Sequence, residues 1–468
     1  MSRTYLAADF GGGSGRVIAG TVRSEADGGK SLVVSEIYRF PNSCIPVGNY
    51  LYWDFPALLA ALKTGLSLAA AKFSDVASVG IDTWGVDFGL VDKLGNLISN
   101  PVCYRDNHTE GLVEKFSGQC DLAAHYGKIG IQILPINTLF RLMSMVETDD
   151  PRLKIADKLL FMPDLFSYYL TGRGGNEYTI ASTSELLGAT AREWDAELIR
   201  SIGIDPALFG EILMPGDSRG TITKEVARET GLPESVKVIA VGSHDTASAV
   251  FAAADDDAGS AFLSSGTWSL LGVTSDRPIL TEEARRLGYT NEGGVGGKIR
   301  FLTNITGLWI LQQLMAQWKK ESGENLDWPE LIAEAECAKD TCIVDVDDPI
   351  FQNPADMQGN IARYCETHRL DCPQSRGEFV RCVCVSLAAR YKKAIDDLNK
   401  LLPNPVKRLK IFGGGSRNRL LTRLTAEATG LEVQTGPSEA TAIGNLLVQA
   451  IADGTIQDKS EITRIIAS

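Results

Sequence analysis

The stretch VGSHDTASAV, residues 241–250, places one of only four histidines in the chain directly before an aspartate. The residues before it are β-branched and apolar and predict a buried strand over 235–241, whereas the pattern from Thr246 onward predicts a helix. His244 and Asp245 therefore lie at a strand-to-helix turn. Asp245 is either the N-cap of that helix or a general base that accepts a proton from a hydroxyl group. His244 is better suited to shaping a pocket and hydrogen bonding a substrate hydroxyl.

Two turns rich in glycine and hydroxyl side chains could bind phosphate groups. The first turn, GGGSG at 11–15, follows Asp9, and its bare backbone N–H groups could approach an anion closely while Ser14 adds a hydroxyl donor. Asp9 could hold Mg²⁺ through water, and Arg16 could reach a terminal phosphate. An ordinary tight hairpin is the alternative, although one or two glycines would suffice for it. The second turn, SSGT at 264–267, gains weight because two such turns could clamp a polyphosphate.

Three further motifs carry polar side chains that could line a pocket. GGGS at 413–416 precedes a helix and suits a ring or phosphate lying on bare backbone, with close strand–helix packing as the alternative for Gly413. DTWGVD at 82–87 combines two carboxylates with Trp84, which suits a sugar; the alternative is a buried Trp84 with turn-capping aspartates. Asn304 comes before a helical run, and its local pattern favours a helix cap.

The elements that position these motifs predict a duplicated α/β plan. Residues 4–24 read as strand, glycine turn and strand, and residues 261–273 repeat that hairpin after an Asp-rich turn, DDDAGS. A dinucleotide-binding turn would lead into a helix, and Arg16 falls where its third glycine should be, so Rossmann chemistry is excluded, as is a P-loop. Residues 407–430 predict a strand, a glycine turn and a helix that ends at Gly430.

Length and composition bound the remaining possibilities. The chain has 468 residues with 44% hydrophobic content, enough for two cores. We predict domains over 1–243 and 244–468, with a cleft between them and the last helix able to pack back on the first domain.

A net charge of −13 without a dense Lys/Arg cluster argues against nucleic acid as a partner. No apolar run resembles a signal peptide or membrane span, and nine scattered cysteines suit a reducing compartment, so we expect a cytoplasmic protein, as a monomer or homodimer.

Longer segments from residue 5 to residue 445 together resemble the FGGY family of carbohydrate kinases. They read GIDTWGVDF, PVCYRDNHTEG, MPDLFSYYLTG, SHDTASAV, FLSSGTWSL, TNEGG, NITGLWILQ and GPSEATAIGN. The resemblance implies an α/β fold of two ribonuclease H-like domains, of the actin and hexokinase type, with an ATP and sugar cleft between them. It also implies ATP- and Mg²⁺-dependent phosphorylation of L-rhamnulose at its 1-hydroxyl, in L-rhamnose catabolism. A kinase for L-fuculose, or for both ketoses, is the alternative, and a non-catalytic sugar or nucleotide sensor is a more distant one.

The same resemblance assigns roles to individual residues. Asp245 would be the proton acceptor, and the sugar would contact Gly85, His244, Asp245, Thr246 and Asn304. ATP would contact Gly12, Gly13, Ser14, Gly15, Arg16, Thr267, Gln312 and Gly414. Asp9 would bind the metal ion. For Asn304 the resemblance replaces the local helix-cap interpretation.

Two features bear on how this chain relates to the family pattern. Its first loop is GGGSG where the family has a G-A-S-S-G type sequence, so one hydroxyl contact to phosphate is lost. The family also implies a disulfide between the positions matching Cys365 and Cys382, although a reducing cytoplasm favours two thiols.

Overall fold

Two mixed β-sheets with flanking helices organise the computed structural model, which describes residues 3–25, 29–254, 257–352, 355–457, 461–462 and 465. Asp255 and Asp256 of the predicted Asp-rich turn lie outside these residues. The strands are β1 (Arg3–Phe10), β2 (Ser14–Ser24), β3 (Lys30–Pro41), β4 (Cys44–Val47), β5 (Tyr50–Trp53), β6 (Val76–Thr83), β7 (Phe88–Val91), β8 (Lys158–Phe161), β9 (Asn176–Glu177), β10 (Ile212–Leu213), β11 (Ser218–Thr221), β12 (Lys237–Ile239), β13 (Ser260–Ser265), β14 (Trp268–Ser275), β15 (Thr290–Gly293), β16 (Ile299–Thr306), β17 (Arg408–Phe412) and β18 (Glu432–Thr435).

The helices follow the same chain order. They are α1 (Phe55–Lys72), α2 (Leu112–Ser117), α3 (Leu122–Ile129), α4 (Thr138–Glu147), α5 (Pro151–Ile155), α6 (Met162–Thr171), α7 (Tyr178–Ala181), α8 (Ala196–Ser201), α9 (Lys224–Thr230), α10 (Asp245–Ala253), α11 (Glu282–Arg286), α12 (Trp309–Ser322), α13 (Trp328–Cys337), α14 (Met357–His368), α15 (Arg376–Leu401), α16 (Arg419–Thr429) and α17 (Ala440–Ala452).

The first sheet has the order β11-β12-β6-β1-β2-β3. β1 and β2 form the predicted hairpin, and nearly the whole length of β1 is buried. β1 runs parallel to β6, with Asp9 opposite Asp82 in the register. Because carboxyl ends of parallel strands share one edge of a sheet, both aspartates lie at the same edge.

The second sheet repeats this plan, in the order β15-β16-β14-β13-β17-β18. In each sheet a hairpin pairs antiparallel to a third strand on one side and parallel to two strands on the other. β11 and β15 are added at the outer edges. The predicted duplicated α/β fold is therefore confirmed, and a separate hydrophobic core lies against each sheet.

Two helices lie between the sheets and connect them. α10 follows β12 of the first sheet, and α17 packs on β1 and β6 of that sheet as well as on α10. Gly444 allows the close approach of these two helices, because a Cβ there would lie 1.9 Å from the Ser248 carbonyl oxygen. The domain boundary between residues 243 and 244 falls just before α10 and stays a prediction.

Local details differ from the sequence expectations at three places. The strand predicted over 235–241 is shorter, since only Lys237–Ile239 pairs in the sheet. His244 occupies the N-cap position of α10, and Asp245 is the first helical residue. The local helix-cap interpretation of Asn304 is wrong, because this residue lies inside β16 and Leu308 precedes α12.

Candidate active site

A cleft between the two sheets collects most of the side chains that the sequence singled out. Twelve of the fourteen predicted site residues line it: Asp9, Gly12, Gly13, Arg16, Gly85, His244, Asp245, Thr246, Thr267, Asn304, Gln312 and Gly414. Ser14 and Gly15, the first two residues of β2, are not among the lining residues, and Gly15 is buried. A Cβ on Gly15 would lie 2.3 Å from two atoms of the Phe40 ring, so packing behind the turn requires this glycine.

Asp245 lies at the junction of the cleft walls, at the first turn of α10. Its Oδ1 accepts hydrogen bonds from the backbone N–H of Thr246, at 2.5 Å, and from the Thr246 hydroxyl, at 3.1 Å. The side chain remains 33% exposed, which leaves it accessible from the cleft. Burial raises the pKa of Asp245 above its ordinary value, and the nearby charge of Asp9 acts in the same direction against the opposing effect of His244.

Three hydrogen bonds to backbone groups fix the turn that carries Asp245. The backbone N–H of Thr83 donates to the Ser243 carbonyl at 2.9 Å, which extends the ladder of the first sheet into the turn. The Ser243 N–H donates to Oε2 of Glu177 at 3.2 Å, and the His244 N–H donates to the Thr179 hydroxyl at 3.1 Å. The turn is therefore held by β6, by Glu177 at the end of β9 and by Thr179 of α7, which limits its motion relative to the cleft.

A buried group of carboxylates lies beside Asp245 at the edge of the first sheet. Asp9 Oδ2 accepts hydrogen bonds from Nε and Nη2 of Arg16, at 2.9 and 2.7 Å. Asp82 Oδ2 accepts a bond from Asn445 at 2.5 Å, whereas its buried Oδ1 has no hydrogen-bond partner among the described residues. The pKa of Asp82 lies well above its ordinary value, because the carboxyl is buried and Asp9 and Asp245 add negative charge nearby.

This excess of carboxylate charge fits a divalent cation of the Mg²⁺ type. Within the described ranges, no group of three or more His, Cys, Asp or Glu side chains could hold a metal ion directly. A Mg²⁺ ion that retains several waters and binds phosphate oxygens needs only one or two protein carboxylates. Asp9, with Asp82 behind it, is suited to hold such an ion through water.

The side of the cleft that faces the second sheet presents backbone and hydroxyl groups. The Thr267 hydroxyl donates to Oε1 of Gln312 at 3.2 Å, which connects the β13–β14 turn to α12. Gly413 has a φ of +83°, and the chain then forms a short 3-10 turn from Gly414 to Arg417. No atom lies within 4 Å of the position that a Cβ on Gly414 would occupy, so this backbone remains open to a ligand.

The opposite side carries an aromatic wall that the sequence predicted only in part. The Trp84 indole N–H donates to Asp87 Oδ2 at 2.8 Å, and Trp53 donates to the same oxygen at 2.5 Å. The two indole centroids lie 4.1 Å apart. A Cβ on Gly85 would lie 3.5 Å from Nε2 of His244, so this glycine leaves space in front of the histidine.

Several contacts across the cleft join residues that the sequence pattern did not bring together. The guanidinium carbon of Arg105 lies 3.9 Å from the ring centroid of Trp309 and joins the two halves. Gln132 accepts a hydrogen bond from the Asn304 amide at 3.0 Å. Glu292 and Arg300 approach His244 from β15 and β16. These partners are separated by 48 to 204 positions in the chain, so no local pattern could have identified them.

All nine cysteines of the chain are free thiols. Cys365 and Cys382 do not form the disulfide that the family resemblance implies. Cys342 lies close to both, with its Sγ 3.5 Å from that of Cys365 and 3.3 Å from that of Cys382.

None of the helices in the described part of the chain has the length and apolar character needed to span a membrane.

The duplicated mixed sheets define a two-domain α/β fold of the actin and hexokinase type, with Asp245 in the cleft between two turns rich in glycine and hydroxyl side chains. Residues 5–252 match the N-terminal domain, and residues 261–452 the C-terminal domain, of the FGGY family of carbohydrate kinases. The chain belongs to the FGGY family of carbohydrate kinases and is an ATP-dependent carbohydrate kinase.

Two relatives and two solved structures illustrate these similarities. The chain is 46% identical over 468 residues to a rhamnulokinase of Bacteroides thetaiotaomicron, covering 100% of this chain and 94% of that protein. It is 37% identical to a rhamnulokinase of Oceanobacillus iheyensis, covering 100% and 97%. Gluconate kinase from Lactobacillus acidophilus superposes with a TM-score of 0.80 at 16% identity, covering 99% of this chain and 92% of that one. Plasmodium falciparum glycerol kinase with ADP gives 0.79 at 13% identity, with the same coverage, and both structures show the fold alone.

Proposed function

We propose that this kinase transfers the γ-phosphoryl group of ATP to the 1-hydroxyl of L-rhamnulose, giving L-rhamnulose 1-phosphate and ADP in L-rhamnose catabolism. The observation that carries the choice of substrate is the 46% identity over the full chain with a relative named rhamnulokinase. The position of Asp245 in the cleft between the two hairpin turns supports the chemistry.

Asp245 is the proton acceptor in this proposal. As the 1-hydroxyl oxygen of the sugar forms its bond to the γ-phosphorus, the bond from that phosphorus to the β–γ bridging oxygen breaks, and the hydroxyl proton passes to Asp245. Within the described part of the chain, the hydrogen bonds to this carboxylate end on Oδ1, so Oδ2 is available for the proton. A pKa above the ordinary aspartate value favours proton acceptance. Because the transition state of phosphoryl transfer is loose, catalysis depends mainly on accurate placement of the hydroxyl and the phosphate.

The sugar lies against Gly85, His244, Thr246 and Asn304. Gly85 provides space, while His244, Thr246 and Asn304 provide directional partners for hydroxyl groups. Trp84 adds an apolar surface, which suits the 6-methyl end or a C–H face of the sugar. These groups hold the 1-hydroxyl near Asp245, and such positioning supplies a large part of the rate in a transfer between two bound substrates.

ATP contacts the two turns and the glycine segment before α16. Gly12, Gly13 and Gly414 offer backbone N–H groups, Arg16 and Thr267 bind phosphate oxygens, and Gln312 orients Thr267. Ser14 and Gly15 act from β2, behind the turn, by setting its shape. Mg²⁺ bound near Asp9 would neutralise phosphate charge and orient the phosphates.

The proposal extends to the setting of the reaction. Sugar and ATP are the partners, and the protein acts in the cytoplasm as a monomer or homodimer, without nucleic acid or membrane. The net charge of −13 supports the absence of nucleic-acid and membrane partners, because it disfavours binding to anionic polymers and surfaces.

A coupled ADP-release assay tests the proposed substrate. We expect the highest kcat/KM for L-rhamnulose in a panel that also contains L-fuculose, L-xylulose and glycerol. An equal or higher kcat/KM for another member of the panel would overturn the assignment. Turnover of every sugar with the same low kcat/KM as glycerol would do the same.

A further inference from the structure

A chain of buried charged groups approaches His244 from the side away from Asp245. Glu292 and Arg300 face each other as a cross-strand pair of β15 and β16, and Arg300 has no exposed surface. Arg300 Nη1 lies 3.1 Å from Glu292 Oε2, and Arg300 Nε donates to the Gly293 carbonyl at 2.8 Å. The guanidinium is therefore held by one ion pair, to Glu292, and by one hydrogen bond, to the Gly293 carbonyl.

Two groups compete for Nδ1 of His244 at the same distance. Arg300 Nη2 lies 3.1 Å from Nδ1 in hydrogen-bonding geometry, and Glu292 Oε2 also lies 3.1 Å from it. The Glu292 oxygen, however, has no hydrogen-bond partner among the described residues. Direction thus separates the two contacts, and the one that satisfies hydrogen-bond geometry is the contact to arginine.

A guanidinium group has donors only, so the nitrogen that it contacts must accept. If Nδ1 accepts from Arg300, it carries no proton, and the single proton of a neutral imidazole lies on Nε2. Nε2 lies 3.6 Å from Asp245 Oδ1, on the cleft side of the ring. A doubly protonated ring would direct an N–H against the arginine donor.

We infer that Arg300 is a positioning residue which fixes His244 as the neutral Nε2–H tautomer, so that the histidine donates a hydrogen bond into the cleft beside Asp245. Glu292 balances the charge of Arg300 in this arrangement. The pKa of Glu292 lies below its ordinary value although burial alone would raise it, and the charge and hydrogen bonding of Arg300 contribute to this lowering. The carboxylate is therefore ionised and neutralises the guanidinium.

This inference rests on the proposed function for its consequence. A charged His244 would lower the pKa of Asp245, so a neutral histidine preserves the basicity that proton acceptance from the sugar requires. The Nε2–H group is then free to bind a sugar hydroxyl. Other charged or polar groups that act on this arrangement are Glu177 and Tyr178 near Arg300, and Asp9 near Asp245.

Nitrogen NMR of the protein labelled with ¹⁵N-histidine reads the tautomer directly, without sugar or ATP. The full chain has four histidines, and a His244→Gln variant identifies the signals of the ring in question. We expect, at neutral pH, a protonated Nε2 and an unprotonated Nδ1. A protonated Nδ1, alone or together with Nε2, would overturn the inference, and this measurement on the wild type requires no Arg300 variant to fold.

The variant Arg300→Lys tests whether Arg300 determines the tautomer of His244. Lysine keeps a positive charge for Glu292 but removes the second guanidinium donor, so we expect the His244 proton to move to Nδ1. We also expect kcat/KM for L-rhamnulose to fall about tenfold, as for loss of one charge-assisted hydrogen bond, with the Kd for ATP unchanged. Glu292→Gln is the matched variant, because it leaves the arginine donor in place and should retain the wild-type tautomer. A folded Arg300→Lys protein with the Nε2–H tautomer would contradict the role of Arg300.

The two proposals fail separately in this design. A chain that shows the Nε2–H tautomer but no activity on L-rhamnulose supports the inference and contradicts only the proposed function. A chain that phosphorylates L-rhamnulose with Nδ1 protonated contradicts only the inference.

Discussion

The side-chain amide of Asn304 donates a hydrogen bond to Oε1 of Gln132 over 3.0 Å, and this bond joins the two halves of the molecule. Gln132 lies between α3 and α4, in the first half of the chain, whereas Asn304 lies in β16 of the second sheet. Because Gln132 engages one N–H of this amide, the carbonyl oxygen and the second N–H of Asn304 remain for substrate hydroxyls. The glutamine therefore orients a predicted sugar-binding residue.

Replacing Gln132 tests this orientation. Gln132→Met removes the hydrogen-bond acceptor while the side chain keeps a similar volume. We expect KM for L-rhamnulose to rise about threefold to tenfold with little change in kcat, as for the loss of one hydrogen bond. Gln132→Glu keeps the acceptor oxygen and should stay near the wild-type KM. Steady-state kinetics on the three proteins measures the effect, and an unchanged KM in Gln132→Met would show that Asn304 needs no partner.

The glycines of the first turn have different roles, which paired alanine variants separate. A Cβ on Gly15 would meet the Phe40 ring at 2.3 Å, whereas nothing lies within 4 Å of a Cβ on Gly13. We expect Gly15→Ala to lose about 1–3 kcal/mol of unfolding free energy through overpacking. Gly13→Ala should keep its stability and raise KM for ATP, because its methyl group enters the cleft. Urea denaturation and ATP kinetics check both, and equal stability of the two variants would refute the packing argument.

Glu177 makes stability depend on pH in a defined window. Burial raises the pKa of this carboxyl from 4.5 to about 7, so the folded state binds its proton more tightly than the unfolded state does. The stability of the wild type relative to Glu177→Gln should therefore decrease as pH rises from about 4.5 to about 7, by about 3 kcal/mol at most.

Denaturation at pH 5 and pH 7 measures that difference. Glu197→Gln is the control, because the Glu197 side chain is 92% exposed and its replacement should leave the pH dependence unchanged. Parallel pH profiles of the wild type and Glu177→Gln would contradict the shifted pKa.

The sequence predicted the elements whose signals are local. Apolar alternation on both sides of a glycine turn identified both hairpins, and Gly430 correctly marked the end of α16 in the left-handed conformation. Asn304 shows the limit of this reasoning: an amide shortly before a helix resembles a cap, yet the residue lies in a strand whose pairing with β14 is decided by distant residues. Arg300 and Gln132 had no local signal, because their contacts with His244 and Asn304 exist only after the sheets assemble.

The position of most site residues followed from the resemblance and not from periodicity. Gly85, Gln312 and Gly414 have side chains or backbone that no spacing rule distinguishes from ordinary turn and helix residues. Their common placement in one cleft becomes visible only in three dimensions. Ser14 and Gly15 show the converse, since motif position grouped them with the cleft residues whereas the structure does not place them among the lining residues and buries Gly15 against Phe40.

The turnover of Asp245→Asn tests the central claim most directly. We expect kcat with L-rhamnulose to fall by about 10²-fold or more, because asparagine cannot accept the hydroxyl proton, while the Kd for ATP stays near the wild-type value. Asp276→Asn, at a side chain that is 83% exposed, serves as the control and should retain full activity. A folded Asp245→Asn protein with near-wild-type turnover would contradict the assignment of Asp245 as the proton acceptor.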